Sequence, residues 1–179
     1  MKKIILITSL FIGFNALAQE GFKKNEIKLN AASTVAGMPE FYYERILNDE
    51  SSAGVSLAFS YDDSINQKFY ISPYYRYFFG KKPAAGFFVE GFAMYSTSEN
   101  KYEYWNYNSS LGYTQYATNS DKYSNFALGF GVGAKWMTRS GFIFEISSGI
   151  GRNLGNKEKN EFYDTEIVGK GGITVGYRF

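Results

Sequence analysis

The fold class this 179-residue sequence predicts is all-β, an eight-stranded antiparallel up-and-down transmembrane β-barrel. Three observations predict it. Composition is the first: 20% of the residues are aromatic, with 16 Tyr, 17 Phe and 19 Gly against only nine Leu. That balance suits strands and argues against a helical bundle. The second is a period-two alternation that recurs in eight segments of about ten residues, the length a tilted strand needs to cross a bilayer. The third is the character of the two faces. One set is Phe, Tyr, Val, Ile and Leu; the other is largely Gly, Ala, Ser and Thr with a few charges. Eight strands enclose an interior too narrow for a full lining of large side chains, so the bulky face is expected to point outward into lipid. A mean hydropathy of -0.28 excludes a helical membrane protein. It does not count against a barrel, where alternation dilutes the apolar residues.

The elements follow in chain order. Lys2 and Lys3 precede an apolar run, Ile4 to Phe14, and Ala16-Leu17-Ala18 supplies a small-x-small cleavage site. This predicts a signal peptide over residues 1–18 and a mature barrel domain over residues 19–179. The run is too short to span a bilayer as a helix. The first strand is expected from Glu26 to Val35, with Ile27, Leu29, Ala31, Ser33 and Val35 on one face, ended by Gly37-Met38-Pro39. Phe41, Tyr43 and Leu47 mark the second, before a turn at Asn48 to Ser52. Val55, Leu57, Phe59 and Tyr61 mark the third, followed by the polar segment Asp62 to Gln67. Phe69, Ile71, Tyr75, Tyr77 and Phe79 mark the fourth, with its turn at Gly80 to Ala85. Phe87, Val89 and Tyr95 mark the fifth, and a long loop is expected from Ser98 to Tyr123.

The sixth strand alternates most cleanly, with Phe126, Leu128, Phe130, Val132, Ala134 and Trp136 against Ala127, Gly129, Gly131, Gly133 and Lys135. Thr138 to Gly141 turns the chain into the seventh, marked by Phe142, Phe144, Ile146 and Ile150. A charged loop, Gly155 to Thr165, leads to the last, marked by Ile167, Ile173, Val175, Tyr177 and Phe179. With the N-terminus in the periplasm, the short connections fall on the periplasmic side and three of the four outer ones are longer, as surface loops are. Gly37 to Pro39 is the exception. In the fifth strand Phe87 and Phe88 are adjacent, so one ring has to point inward. A carboxylate in lipid is costly, which puts Glu90 inside, and Phe88 and Phe92 with it, over the bare backbone of Gly129 to Gly133.

The chain closes Ile173-Thr174-Val175-Gly176-Tyr177-Arg178-Phe179. A terminal Phe preceded by alternating apolar residues resembles the C-terminal signature of bacterial outer-membrane barrels. With the eightfold pattern, the mature chain resembles the small OmpA/OmpX type. The segments Pro39 to Asn48 and Tyr74 to Lys82 resemble an uncharacterised barrel family of Bacteroidota. The resemblance implies the outer membrane of a Gram-negative bacterium as location, a cell-surface, porin-like protein, outer-membrane lipid as surroundings, and assembly machinery that reads the last strand. Ile173, Val175, Tyr177 and Phe179 are then the assembly signal. A monomer is expected.

The residues narrow the chemistry. Loss of Lys2 and Lys3 with the signal peptide leaves equal numbers of acidic and basic residues, which gives no sign of nucleic-acid binding. Zero Cys removes disulfides, thiolate metal sites and a thiol nucleophile, and zero His removes the usual general base. The lipases, lipid A deacylases and proteases among outer-membrane barrels use a histidine as families. The chain is therefore expected to be non-enzymatic, with no catalytic, cofactor-binding or metal residues. Asp62-Asp63 and Asp121 are carboxylates of the kind hard cations favour, but a solvated turn is the preferred reading of them.

Two sets of side chains are candidates for function. Glu44, Arg76, Glu90, Lys135 and Glu145 fall on inward positions and predict an interior charge network, with Arg76 paired to Glu90 and Lys135 to Glu145. Such a network fills a barrel too narrow to conduct; the alternative is a polar path. Tyr102, Tyr104, Trp105, Tyr107, Tyr113 and Tyr116 cluster between the fifth and sixth strands, and Tyr and Trp are the side chains that anchor recognition surfaces. Alternatively, the flanking strands continue above the membrane as a hairpin. Two functions fit: a structural or surface-binding barrel acting through its outer loops, or a small-solute or lipid-handling barrel with an interior site.

Overall fold

The computed structural model describes residues 23–108, 113–154 and 166–179. The signal-peptide segment, the 109–112 tip and the 155–165 loop lie outside the described residues. Eight strands, β1 (Asn25–Asn30), β2 (Glu40–Asn48), β3 (Ser51–Phe59), β4 (Gln67–Phe78), β5 (Gly86–Asn108), β6 (Tyr113–Met137), β7 (Phe142–Asn153) and β8 (Ile167–Arg178), form one closed barrel in sequence order. Every neighbouring pair is antiparallel, and β1 closes on β8 through Glu26↔Arg178 to Asn30↔Thr174. The all-β, eight-stranded up-and-down architecture is thus the one the alternation predicts.

Two elements differ from the sequence expectation. The first strand stops at Asn30, and Ala31–Val35 forms a short helix, α1. Asn30 caps it: its side chain accepts from the Ser33 amide at 3.2 Å, and the Thr34 hydroxyl donates to the Asn30 carbonyl at 2.6 Å. β2 ends opposite Asn30 but β8 runs on to Ile167, so it is these local bonds of the small Ala, Ser and Thr residues that compete with the ladder. Gly37, at φ +93°, takes the left-handed turn that ends the helix, and Pro39 follows it. The connection from β1 to β2 therefore runs from Ala31 to Pro39 and is not the short turn expected.

The second is the Ser98 to Tyr123 segment, where the structure forms not the loop but its alternative, the continuing hairpin. β5 and β6 pair without interruption from Gly86↔Lys135 up to Asn108↔Tyr113. β4 leaves β5 after Gln67↔Ser98, and β7 leaves β6 after Ala127↔Asn153. Above that level the two strands pair only with each other among the described residues, as a ribbon of about 33 Å at ~3.3 Å per residue. Tyr, Trp and Thr favour strands in this segment.

Outside, the barrel carries a band of exposed apolar side chains that includes Phe87 (74% exposed), Phe130 (69%) and Phe142 (62%). Inside, size is divided between the two halves of the wall. Tyr42, Tyr74, Phe78, Phe88 and Phe92 from β2 to β5 are buried, whereas Gly129, Gly131, Gly133, Gly149 and Gly151 line β6 and β7. The inward set is therefore not confined to small residues. Rings from one side fill the space that glycines on the other leave open. A Cβ at Gly129 would strike the Phe92 ring, one at Gly133 would strike the Phe88 ring, and one at Gly54 would lie 2.5 Å from Tyr74 Cζ. Phe88 and Phe92 thus face inward over the glycine stripe, as Glu90 requires.

Candidate functional site

Inward parity along β1, β2, β4, β5, β6, β7 and β8 brings ten ionisable side chains into one buried interior. The carboxylates are Glu26, Glu40, Glu44, Glu90 and Glu145; the cations are Lys28, Arg76, Lys135, Lys170 and Arg178. Equal numbers make the lumen electrically neutral. Buried charges away from water are tolerable only where they are paired and hydrogen-bonded.

Glu44 is the hub. Its Oε2 accepts from Lys28 Nζ at 2.5 Å, Arg76 Nη1 at 2.8 Å and the Tyr74 hydroxyl at 3.1 Å. Its Oε1 accepts from Lys135 Nζ at 2.6 Å and the Ser52 hydroxyl at 2.7 Å. Glu145 Oε2 takes second bonds from Lys28 at 2.9 Å and Arg76 at 3.0 Å. Arg76 Nε donates to Glu90 Oε2 at 2.7 Å, directly across the β4–β5 register, and Lys170 donates to the other oxygen of Glu90 at 2.8 Å. The Arg76 guanidinium also lies 4.4 Å from the ring centroids of both Tyr74 and Phe88, and Lys170 lies 4.5 Å from that of Tyr74. Aromatic faces thus share in solvating the cations.

The expected pairing of Lys135 with Glu145 is present only as a long ion pair, secondary to two closer ones. The two residues are opposite in register, but their charges stand 4.0 Å apart. Lys135 Nζ donates to Glu44 and to Glu26 Oε2 at 2.8 Å. Lys28 and Arg76 both bond the same oxygen of Glu145, Oε2, while its buried Oε1 accepts no hydrogen bond among the described residues. Parity could have identified the five further charges, Glu26, Lys28, Glu40, Lys170 and Arg178, since each sits on the polar alternation. What parity lacks is the cross-barrel distance that ties opposite walls together.

Both ends of the network are closed. At the end that carries the termini, Arg178 Nε donates to Glu26 Oε1 at 2.7 Å, and its Nη atoms donate to the carbonyls of Pro83 at 2.9 Å and Ala84 at 2.8 Å. The β4–β5 turn is drawn under the barrel, where Ala84 packs with Ile46, Phe78 and Phe88 as an apolar floor. At the opposite end Tyr42, Tyr70, Tyr74, Phe92 and Met94 form a second cluster. Glu40 sits beside it, buried, accepting from Asn30 Nδ2 at 2.9 Å.

The remaining candidates lie apart from this core. Trp105 is 71% exposed on the ribbon, opposite Tyr116 in register; Tyr102 is opposite Asn119, Tyr104 opposite Ala117, Tyr107 opposite Thr114 and Tyr113 opposite Asn108. The ribbon base is tethered: the Glu99 amide donates to the Asn66 carbonyl at 2.8 Å, and Lys101 Nζ lies 3.3 Å from Asp63 Oδ1. Ile173, Val175 and Tyr177 are on the outer face of β8, and Phe179 exchanges backbone bonds with Asn25 at 3.1 and 2.8 Å, closing the seam. Asp62 folds its own turn, accepting the Ser64 hydroxyl at 2.6 Å and amide at 2.8 Å. These bonds, the hydroxyl first, hold its carboxyl below the usual aspartate value. Among the described residues no group of three or more His, Cys, Asp or Glu side chains is arranged to hold a metal.

Comparison with known proteins bears on the fold. No protein-family model matches the chain, and no curated protein matches it. A solved structure that does is the N-terminal β-barrel domain of Pseudomonas aeruginosa OprF, at a TM-score of 0.54 and 17% identity, covering 89% of this chain and 100% of that domain. At this identity the likeness speaks for the eight-stranded barrel fold.

Proposed function

We propose that the protein is a non-enzymatic outer-membrane barrel that acts as a closed anchor and presents the β5–β6 ribbon at the cell surface. The observation that carries this reading is the combination of an apolar outer band with a neutral lumen in which nine of the ten charges are ion-paired, Glu40 being held by Asn30 instead. A soluble barrel hides its apolar side chains inside, whereas this one turns them out and keeps its charges in, the arrangement lipid requires. A lumen crossed by ion pairs and floored by Ala84, Phe78 and Phe88 leaves no aqueous path, which favours an anchor over a pore.

In this reading residues 1–18 direct export and are removed, the last strand from Ile173 to Phe179 serves barrel assembly, and the ribbon with its Tyr and Trp residues meets an external ligand. Membrane fractionation tests location: the protein is expected with the outer membrane, beginning at Gln19, and a soluble periplasmic pool would reject the reading. Planar-bilayer recording tests closure. No unitary conductance is expected, and steady channels from folded protein would reject the anchor in favour of a solute path.

A further inference from the structure

The charges that the lumen does not absorb are divided unequally between the two ends. The end that carries the termini and the three short turns holds Lys23, Lys24, Arg45, Lys81, Lys82 and Arg139, all exposed, against Asp49 and Glu50. Glu50 is engaged by the Tyr77 hydroxyl at 2.7 Å. Among the described residues no carboxylate lies within 4.0 Å of any of the six cations; Lys23 contacts only Tyr177, with Nζ 3.4 Å from its hydroxyl. Among the described residues at the opposite end the sign reverses, with Asp62, Asp63, Glu99, Glu103, Asp121 and Glu166 outnumbering Lys68, Lys101, Lys122 and Arg152.

Position matters as much as number. Lys23, Lys24 and Arg45 stand at β1 and β2, Lys81 and Lys82 in the β4–β5 turn, and Arg139 in the β6–β7 turn, so the cations are spread around the rim and do not form one patch. Directly beside them on the outer wall are Tyr43, Tyr77, Phe79, Trp136, Phe142 and Tyr177, exposed aromatic side chains of the kind that sit at headgroup depth. Long basic side chains above such a belt reach naturally into the headgroup layer.

We infer that this rim is a binding ring for anionic phospholipid headgroups, formed in the leaflet that faces the termini. The inference rests on the membrane reading above. Each cation engaged with an anionic surface strengthens binding about fivefold, from roughly 1 kcal/mol per Lys or Arg, and the effect fades with salt.

Trp136 at the rim is a built-in reporter, since Trp105, the second tryptophan, lies far out on the ribbon. The mature protein is reconstituted in phosphatidylcholine vesicles, with brominated phosphatidylglycerol or brominated phosphatidylcholine as quencher. Preferential quenching by phosphatidylglycerol, at least fivefold in relative affinity and lost at high salt, is expected. The variant Lys81→Gln/Lys82→Gln/Arg139→Gln should lower that preference severalfold, and Lys23→Gln/Lys24→Gln should do so by less. Folding of each is checked by heat-modified gel mobility. Equal quenching by the two lipids, or an undiminished preference in both variants, would overturn the ring while leaving the membrane reading intact. An absence of quenching by either lipid would overturn the membrane reading itself.

Discussion

Glu44 accepts bonds from three cations, so its removal is the sharpest perturbation of the interior. In Glu44→Gln the shape is kept and one negative charge is lost, leaving the lumen with five cations and four carboxylates. Lys135 then relies on Glu26 alone at short range, and Lys28 and Arg76 share Glu145. Breaking a buried ion pair by removing one partner typically costs about 3–5 kcal/mol, because an uncompensated charge remains in low dielectric. That corresponds to about 10²–10⁴-fold in the folded-to-unfolded ratio. Adding Lys28→Met, which removes a cation bonded to Glu44 at 2.5 Å, restores neutrality. The double variant is expected to be no less stable than Glu44→Gln, with a coupling of about 1–3 kcal/mol. The assay is urea unfolding in lipid vesicles, followed by tryptophan fluorescence and heat-modified gel mobility. Losses that add to within about 0.5 kcal/mol would refute the view that these charges act as one network. So would a strong dependence of the Glu44→Gln loss on salt, since buried pairs are little screened.

Three further outcomes follow from the geometry. Gly131→Leu should destabilise by about 1–3 kcal/mol in the same assay, since a Cβ there would lie 3.0 Å from the Ser148 carbonyl oxygen and the rest of the side chain would enter a filled lumen; Leu128→Ile on the outer face should change stability by less than about 1.5 kcal/mol. Deleting Phe179 removes two backbone bonds with Asn25 at the β1–β8 seam, and immunoblotting of the membrane fraction should show degraded or unfolded chain; normal amounts of heat-modifiable barrel would refute the assembly role. NMR titration of Asp62 should give a midpoint below 3.8, and Ser64→Ala should raise it. Because the folded value is the depressed one, this turn's contribution to stability is present above the ordinary aspartate range and is lost as pH falls through the folded midpoint.

The sequence by itself determined the strand count, the parity of each strand and the closure into a barrel. Alternation against an apolar environment leaves a mark at every second residue, and a slip of one residue would turn the whole face over. That is why Glu90 alone sufficed to orient Phe88 and Phe92. Interior residency was equally legible for Glu44, Arg76, Lys135 and Glu145. Tertiary structure decided what parity does not encode. It brought Glu44 within reach of Lys28, Arg76 and Lys135 from three other strands, and it gave Lys135 closer partners in Glu44 and Glu26 than its register partner Glu145. It matched rings on β5 to glycines on β6, and Tyr74 on β4 to Gly54 on β3, admitting large side chains to a narrow lumen. It also ended β1 at Asn30, where local capping bonds replace further pairing with β8, and it extended β5 and β6 beyond the barrel, deciding for the hairpin that the sequence left open beside a loop. Distances across a closed barrel join residues far apart in the chain, and period-two alternation carries information only about neighbours on one strand.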